Sequence, residues 1–330
     1  GGVGYSKSQG VNFTASLTED NFLGTGKKVT MALNTSSYNT HYQLSYFNPY
    51  ATIDGISRGF NLSYRKTNYD ELNVSDYSTD RSVASVNYGV PVSDFNRLSA
   101  SFAFEFIDLR LGDLPPTEIV DFVDAEGDSY RDFKLTVTWR HDSRDSAIFP
   151  TIGNRQTATF TLTVPGSDLQ FYKFYYTFRH YIPVYQRFVF SAKADLGYGD
   201  SYGNTTALPF FEHFYAGGVK NLRGFKSNTL GPRDSTGDPY GGTRKLTGGI
   251  ELFMPPPFEE FSDTLRLSAF LDAGNVFADR IEWDEIRYSV GVGATWLSPM
   301  GALTVSYGVP LNDKDDDEVE NFQFSFGSVF

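Results

Sequence analysis

The stretch Arg187-Phe188-Val189-Phe190-Ser191-Ala192-Lys193-Ala194-Asp195-Leu196 places apolar side chains at every even position and polar ones at 187, 191, 193 and 195. Val189 is the single interruption. Period two is the spacing of a strand with unlike faces, because successive side chains leave the pleat on opposite sides. The pattern returns from Ile286 to Trp296, where Ile286, Tyr288, Val290, Val292, Ala294 and Trp296 oppose Arg287, Ser289, Gly291, Gly293 and Thr295. Between Thr157 and Val164, threonines alternate with Ala158, Phe160, Leu162 and Val164. Leu98 to Phe106, Phe133 to Trp139 and Leu265 to Ala273 behave alike. Such runs match the ~9 to 11 residues of a tilted strand that crosses a bilayer.

Across all 330 residues, 30 Phe and 21 Tyr accompany only three Met, a balance that favours pleated strands over helices. No stretch approaches the ~18 apolar residues of a membrane helix, which excludes a helical membrane protein. Turn signals divide the chain into sixteen strands beginning near 1, 11, 27, 40, 57, 81, 96, 131, 154, 170, 187, 243, 265, 286, 302 and 320. An even number suits a single-chain bacterial barrel. The long connections, about 67–80, 107–130, 198–242, 274–285 and 310–319, all follow odd-numbered strands. Compact turns such as Asn21 to Gly26, Pro91 to Asp94 and Ser298 to Gly301 fall at the other end. A soluble β-sandwich would need two apolar inner faces, whereas the face opposite the aromatics is polar here. The expectation is an all-β chain: one transmembrane antiparallel β-barrel domain over residues 1–330, with 16 strands.

A formal net charge of -12, from 40 acidic and 28 basic residues, argues against nucleic acid as a partner. The absence of cysteine removes thiol catalysis, disulfides and cysteine metal sites, and the four histidines, at 41, 141, 180 and 213, are scattered. No metal site and no cofactor are expected. His141-Asp142-Ser143 hints at a hydrolase, but adjacent strand residues face opposite ways and leave a triad without partners. Glu212 and His213 read as a hydrogen-bonded loop pair. The acidic run Asp313-Lys314-Asp315-Asp316-Asp317-Glu318 reads as a solvated loop or as an attractor of divalent ions. The expectation is that the chain is not an enzyme. It carries no signal peptide and residue 1 already lies in strand-like sequence, so a mature piece of something longer is expected.

The last residues, Phe322-Gln323-Phe324-Ser325-Phe326-Gly327-Ser328-Val329-Phe330, gather four phenylalanines on one face and end on an aromatic. The longest connection, about 198–242, contains Phe214-Tyr215-Ala216-Gly217-Gly218-Val219-Lys220-Asn221-Leu222-Arg223-Gly224-Phe225 and, beyond it, Ser227-Asn228-Thr229-Leu230-Gly231-Pro232. Together with Asp20 to Gly26, Asn48-Pro49-Tyr50, Asp54-Gly55 and Val164 to Asp168, these stretches resemble the superfamily of outer-membrane assembly and translocation barrels, along the whole chain.

The resemblance implies that the long loop folds back into the lumen. It carries the family's Val-Arg-Gly-Phe/Tyr motif as Leu222, Arg223, Gly224 and Phe225, with Leu in place of Val. In the family the arginine meets acidic residues of the barrel wall, and parity supplies them here. Ile250 and Leu252 facing lipid turn Glu251 inward, and the same rule turns Asp272 inward. A guanidinium between two carboxylates forms planar charge-assisted bonds that lysine cannot reproduce. Without the resemblance, an exposed loop arginine above hydrated lumen carboxylates is an equal reading. The loop's outer part is shorter than in many members and lacks their paired cysteines.

The implied function is that of the central barrel subunit of the outer-membrane protein assembly machine, which folds and inserts β-barrel clients. A two-partner-secretion type translocation pore is the alternative, and a passive porin a more distant one. Glycines weaken strands, which makes the join between Gly1, Gly2, Val3, Gly4, Tyr5 and Ser6 and the terminal Gln323, Phe324, Ser325, Phe326, Gly327, Ser328, Val329 and Phe330 the expected lateral seam. A client strand could add there by β-augmentation. The implied partners are unfolded barrel clients, phospholipid and lipopolysaccharide, and accessory lipoproteins bound through upstream polypeptide-transport-associated (POTRA) domains that this chain lacks. The implied location is the bacterial outer membrane, with long loops outside and the short turns and C-terminus on the periplasmic side.

Overall fold

A computed structural model describes residues 1–6, 10–257, 263–298 and 301–327. Its barrel strands are β1 (Gly2–Ser6), β2 (Gly10–Glu19), β3 (Lys28–Thr35), β4 (Asn39–Asn48), β5 (Ser57–Asn68), β6 (Tyr77–Pro91), β7 (Asn96–Leu111), β8 (Ser129–Asp142), β9 (Gly153–Thr163), β10 (Phe171–Tyr185) and β11 (Phe188–Ser201). After a two-residue strand β12 (Gly224–Phe225) come β13 (Arg244–Met254), β14 (Leu265–Phe277), β15 (Arg287–Ser298) and β16 (Gly301–Pro310). A second short strand, β17 (Val319–Glu320), precedes β18 (Phe322–Phe326). Sixteen of these close into an antiparallel barrel in chain order, with β18 returning to β1, while β12 and β17 pair with each other as a separate two-stranded ribbon.

The alternation read from the sequence is the division between lipid and lumen. Along β5, Phe60, Leu62 and Tyr64 stand exposed outside, and along β15 so do Tyr288, Val290, Val292 and Trp296. Inward positions are polar or small: Ser191, Asp195, Thr247, Ser268 and Ser306 are buried in the lumen. A closed ladder satisfies every backbone group without water, the condition for crossing hydrocarbon with strands. Phe22, Tyr50, Phe95 and Tyr185 stand exposed in or beside the short turns, where an aromatic girdle belongs.

Three local departures have physical causes. Ile286 is buried and precedes β15 rather than opening it, because the short 3-10 turn Trp283–Glu285 folds it under the loop. Val189, the apparent break in alternation, points inward and is 2% exposed. The last barrel strand begins at Phe322, since residues 319–320 pair with the lumen loop instead.

The inner face is also less uniformly polar than expected. At the long-loop end, Tyr77, Ile107, Leu109, Tyr130 and Phe171 point inward and pack with Leu208, Phe210 and Phe211 of the long loop. Ile119 and Phe122 of α1 (Thr117–Glu126) complete this core. They stand three apart on one face of a helix that follows Pro116 and stops at Gly127, φ +90°. The barrel is thus roofed by a core of the kind found in soluble proteins.

Candidate functional site

The long connection, residues 202–243, turns into the lumen and is shaped by its own backbone bonds. Phe214 and Gly242 exchange N–H···O bonds of 2.8 and 2.9 Å, and Gly218 N–H donates to the carbonyls of Leu222 and Phe225 at 3.1 and 3.0 Å. The tight fold requires glycine at 217, where φ is +107° and a Cβ would lie 2.3 Å from the Lys226 carbonyl oxygen. Leu222, Phe225 and Leu230 are then fully buried against Phe214, Ala216 and Val276.

This packing delivers Arg223 to the wall. Its Nε donates to Asp272 Oδ2 at 2.7 Å, Nη2 to Asp272 Oδ1 at 3.0 Å and Nη1 to Glu251 Oε1 at 2.8 Å. The Arg223 backbone N–H adds a bond to Asp272 Oδ2 at 3.2 Å. The guanidinium lies 3.4 Å from the centroid of the Phe270 ring, a cation–π stack in a desolvated place. Burial works against the charge of Arg223, but Asp272 and Glu251 outweigh it and hold the group above its ordinary pKa. The structure therefore brings together Arg223, Glu251 and Asp272.

Lys193, which the sequence reading left as one polar position among many, joins them. Its Nζ lies 2.9 Å from Asp272 Oδ1 and 3.2 Å from the Asn221 carbonyl, so two cations face two carboxylates. Gly249 opposes Asp272 in register, and a Cβ there would sit 2.4 Å from its Oδ1.

The motif is also bonded to the strand that closes the barrel. Gly224 and Phe225 pair with Glu320 and Val319, and the Gln323 side-chain amide donates to the Phe225 carbonyl at 2.7 Å. Lys226 N–H donates to the Glu318 carbonyl, and its Nζ pairs with the Glu318 carboxylate, both at 2.8 Å. Gly224 can lie on β16 because Gly308 has no side chain: a Cβ there would come within 2.8 Å of Gly224 N.

A second charged cluster fastens the other side of the loop. Glu212 receives Arg81 and Lys134 at 3.1 Å and Lys173 at 3.0 Å, from β6, β8 and β10. Glu105 of β7 pairs with Arg81 at 3.0 Å and with Lys134. Burial raises the Glu212 carboxyl, but Lys134, Lys173 and Arg81 reverse this and hold it well below the usual range. His213 is not its partner: the imidazole Nδ1 bonds the Tyr240 carbonyl at 3.0 Å, and burial pushes its pKa down to about 4. The available signal was the inward parity of Arg81, Glu105, Lys134 and Lys173, since lumen charges inside a membrane strand need partners.

Among the described residues, β1 meets β18 through Tyr5↔Phe326 and Ser6↔Ser325. Tyr5 stacks on Phe324 at 5.4 Å outside, while Gln323 and Ser325 face the lumen. Gly4 is buried, and Gly327, at φ +78°, lies against it: a Cβ on Gly327 would come within 3.2 Å of Gly4 Cα. Among the described residues, Gly2 and Val3 pair with β2. Gly1 precedes β1, and Ser328, Val329 and Phe330 lie outside the described residues.

The remaining candidates are engaged elsewhere. His141 bonds Asn96, Asp142 pairs with Arg144, and Ser143 donates to the Asn154 carbonyl. The expectation that Gly-x-Ser-x-Gly is absent is wrong at Gly55-Ile56-Ser57-Arg58-Gly59, which has that spacing, but Ser57 opens a strand and bonds Gly89 and Arg97. The acidic run is partly pinned rather than solvated: Asp317 pairs with Arg287 at 2.5 Å. Among the described residues, no group of three or more acidic or histidine side chains could hold a metal.

The Omp85 superfamily domain matches residues 21–330. The chain is 31% identical to the outer membrane protein assembly factor BamA of Neisseria meningitidis serogroup B, over 99% of this chain and 46% of that protein. It thus spans about half the length of that relative. It is 28% identical to the mouse sorting and assembly machinery component 50 homolog, over 94% of this chain and 68% of that one. The crystal structure of Haemophilus ducreyi BamA lacking POTRA domains 1–3 superposes with a TM-score of 0.92 at 28% identity, covering 98% of this chain and 68% of that one.

Proposed function

The chain belongs to the Omp85 superfamily, and from that membership we propose that it is the barrel part of an outer-membrane protein assembly factor. Its work is to fold β-barrel clients and insert them through the seam between β1 and β18. The observation that carries this reading is that the closing ladder joins the two ends of the chain, through Tyr5↔Phe326 and Ser6↔Ser325 among the described residues, with Gly327 lying against Gly4 beside it. Parting it exposes the edge of β1, where a client's terminal strand adds by β-augmentation. The client's backbone groups are satisfied one strand at a time instead of crossing hydrocarbon unpaired, at several kcal/mol each. The barrel works without a chemical step or a cofactor.

Long loops on the outer surface and short turns towards the periplasm complete the arrangement. Accessory lipoproteins would act through parts of the protein beyond this chain, and the exposed apolar belt meets phospholipid and lipopolysaccharide. The lumen loop keeps β18 in place through Gln323 and the β12–β17 ribbon while β1 exchanges partners.

The cysteine-free chain permits a direct test. Cysteines at Tyr5 and Phe326, partners in register, lock the seam of the intact protein when oxidised. Client assembly should stop in the locked state and resume with reductant. A demonstrably locked barrel that still assembles clients would sink the seam reading, and export of secreted repeat proteins instead of barrel assembly would favour the translocation pore.

A further inference from the structure

Behind the lumen loop, between His213 and Phe214 on one side and β9, β10 and β13 on the other, lies a cavity of about 390 Å³. It is lined by Lys173 and Lys245, with Thr159 and Thr161 beside them, whose hydroxyls also meet those of Thr138 and Thr136 at 3.3 and 3.2 Å. The two lysines differ. Lys173 is committed to Glu212 at 3.0 Å. Lys245 is only 9% exposed, and among the described residues its Nζ has no ion pair and no hydrogen bond. It lies 5.9 Å from the centroid of Tyr175, at the limit of cation–π reach. Asp195, on the neighbouring strand β11, is already held by Arg179 through bonds of 3.0 and 3.1 Å.

A buried ammonium that must share its nearest carboxylate, Asp195, with Arg179 is left short of counter-charge, and interiors resolve that cost by pairing. The surrounding balance leaves the same need. Arg81, Lys134 and Lys173 are balanced against Glu105 and Glu212, while Lys245 and Arg179 share Asp195.

We propose that this cavity binds a small oxyanion of the phosphate class, held by Lys245 with help from Lys173 and the two threonine hydroxyls. The cavity has room for a tetrahedral anion and supplies charge-assisted donors, which form the stronger class of hydrogen bond. Its floor belongs to the wall and its roof to the loop, so the bound anion bridges the two. It is a third fastening of the loop, and unlike Arg223 and Glu212 it varies with the solute present.

Inorganic phosphate is the probe, used on the intact protein in a detergent without phosphate groups and at constant ionic strength. Equilibrium dialysis should find one phosphate per chain. Lys245→Met should weaken uptake at least tenfold, Lys245→Arg should retain most of it, and Lys28→Met, on the exposed rim, should leave it unchanged. Proteolysis of the loop should slow with phosphate in the parent and not in Lys245→Met. A short-chain phosphatidic acid competing with phosphate would identify a lipid headgroup as an alternative source of the anion, and failure to compete would restrict the site to free oxyanions. Absence of stoichiometric uptake by the parent overturns the proposal whatever the variants do, as does equal uptake by parent and Lys245→Met.

Discussion

The side-chain amide of Gln323 donates to the carbonyl of Phe225 at 2.7 Å, which bonds the lumen motif directly to the strand that closes the barrel. Replacing Gln323 with Leu removes the donor and leaves a buried carbonyl short of one bond, a loss of about 1–3 kcal/mol. Hydrogen exchange over Phe322–Phe326 should accelerate, while the bonds of Arg223 to Asp272 remain. Unaltered exchange in this strand would show that the loop does not restrain it.

Arg223→Ala should be the more disruptive change. It leaves Asp272, fully buried, and Glu251 with Lys193 as their remaining cation. Breaking a buried ion pair from one side costs about 3–5 kcal/mol. Faster tryptic cleavage of the loop and a lower temperature of barrel unfolding on gels are the expected results. Arg223→Lys should recover only part of this, because one ammonium cannot bond both oxygens of Asp272 and reach Glu251.

Glu212→Gln removes the counter-charge shared by Arg81, Lys134 and Lys173, leaving Arg81 and Lys134 with Glu105 and breaking the ion pair of Lys173. The loop should loosen on the β6–β10 side while Arg223 holds the other. The Arg223 and Glu212 clusters share no residue, so losses in the double variant should add to within about 0.5 kcal/mol. A strongly non-additive result would show that the loop docks as one unit.

The loop should also undock in acid. The His213 pKa is depressed to about 4, below its ordinary 6.5, so the docked loop resists a proton that the free loop accepts. The stability contributed by His213 is complete above about 6.5 and is lost as pH falls towards 4. Glu212, also depressed, acts in the same direction at still lower pH. Protease protection of the loop should decline between pH 6.5 and 5 in the parent, and His213→Gln should flatten that decline. An equal slope in both would remove His213 as the cause.

Strand alternation was legible because lipid and lumen impose opposite demands on neighbouring residues: Phe188 and Ser191 could not exchange places without burying a hydroxyl in hydrocarbon. The inward direction of Glu251 and Asp272 followed from the same rule. Partner choice did not, since parity says which side a residue faces and nothing about which residues meet across the lumen. Lys193 and Glu212 were invisible for that reason. Gly308 and Gly249 were equally unreadable, because the need for a bare backbone arises only when a second segment comes to lie on it. The core beneath α1 was missed because Ile107 and Leu109 continue the inward face of β7 beyond the polar lumen, where the chain packs as a soluble protein does.

The pairing of Tyr5 with Phe326 also bears on how this molecule is made. Most barrel ladders join strands adjacent in the chain, so most can form locally at small entropic cost. Tyr5 and Phe326 instead come from opposite ends of the polypeptide, and closing so large a loop is the costliest encounter in the fold. The step that demands the longest search is thus the one that closes the barrel. The protein's own maturation and its proposed opening are one event traversed in opposite directions. A substitution that tightens the seam would therefore hasten the birth of the barrel and slow its work.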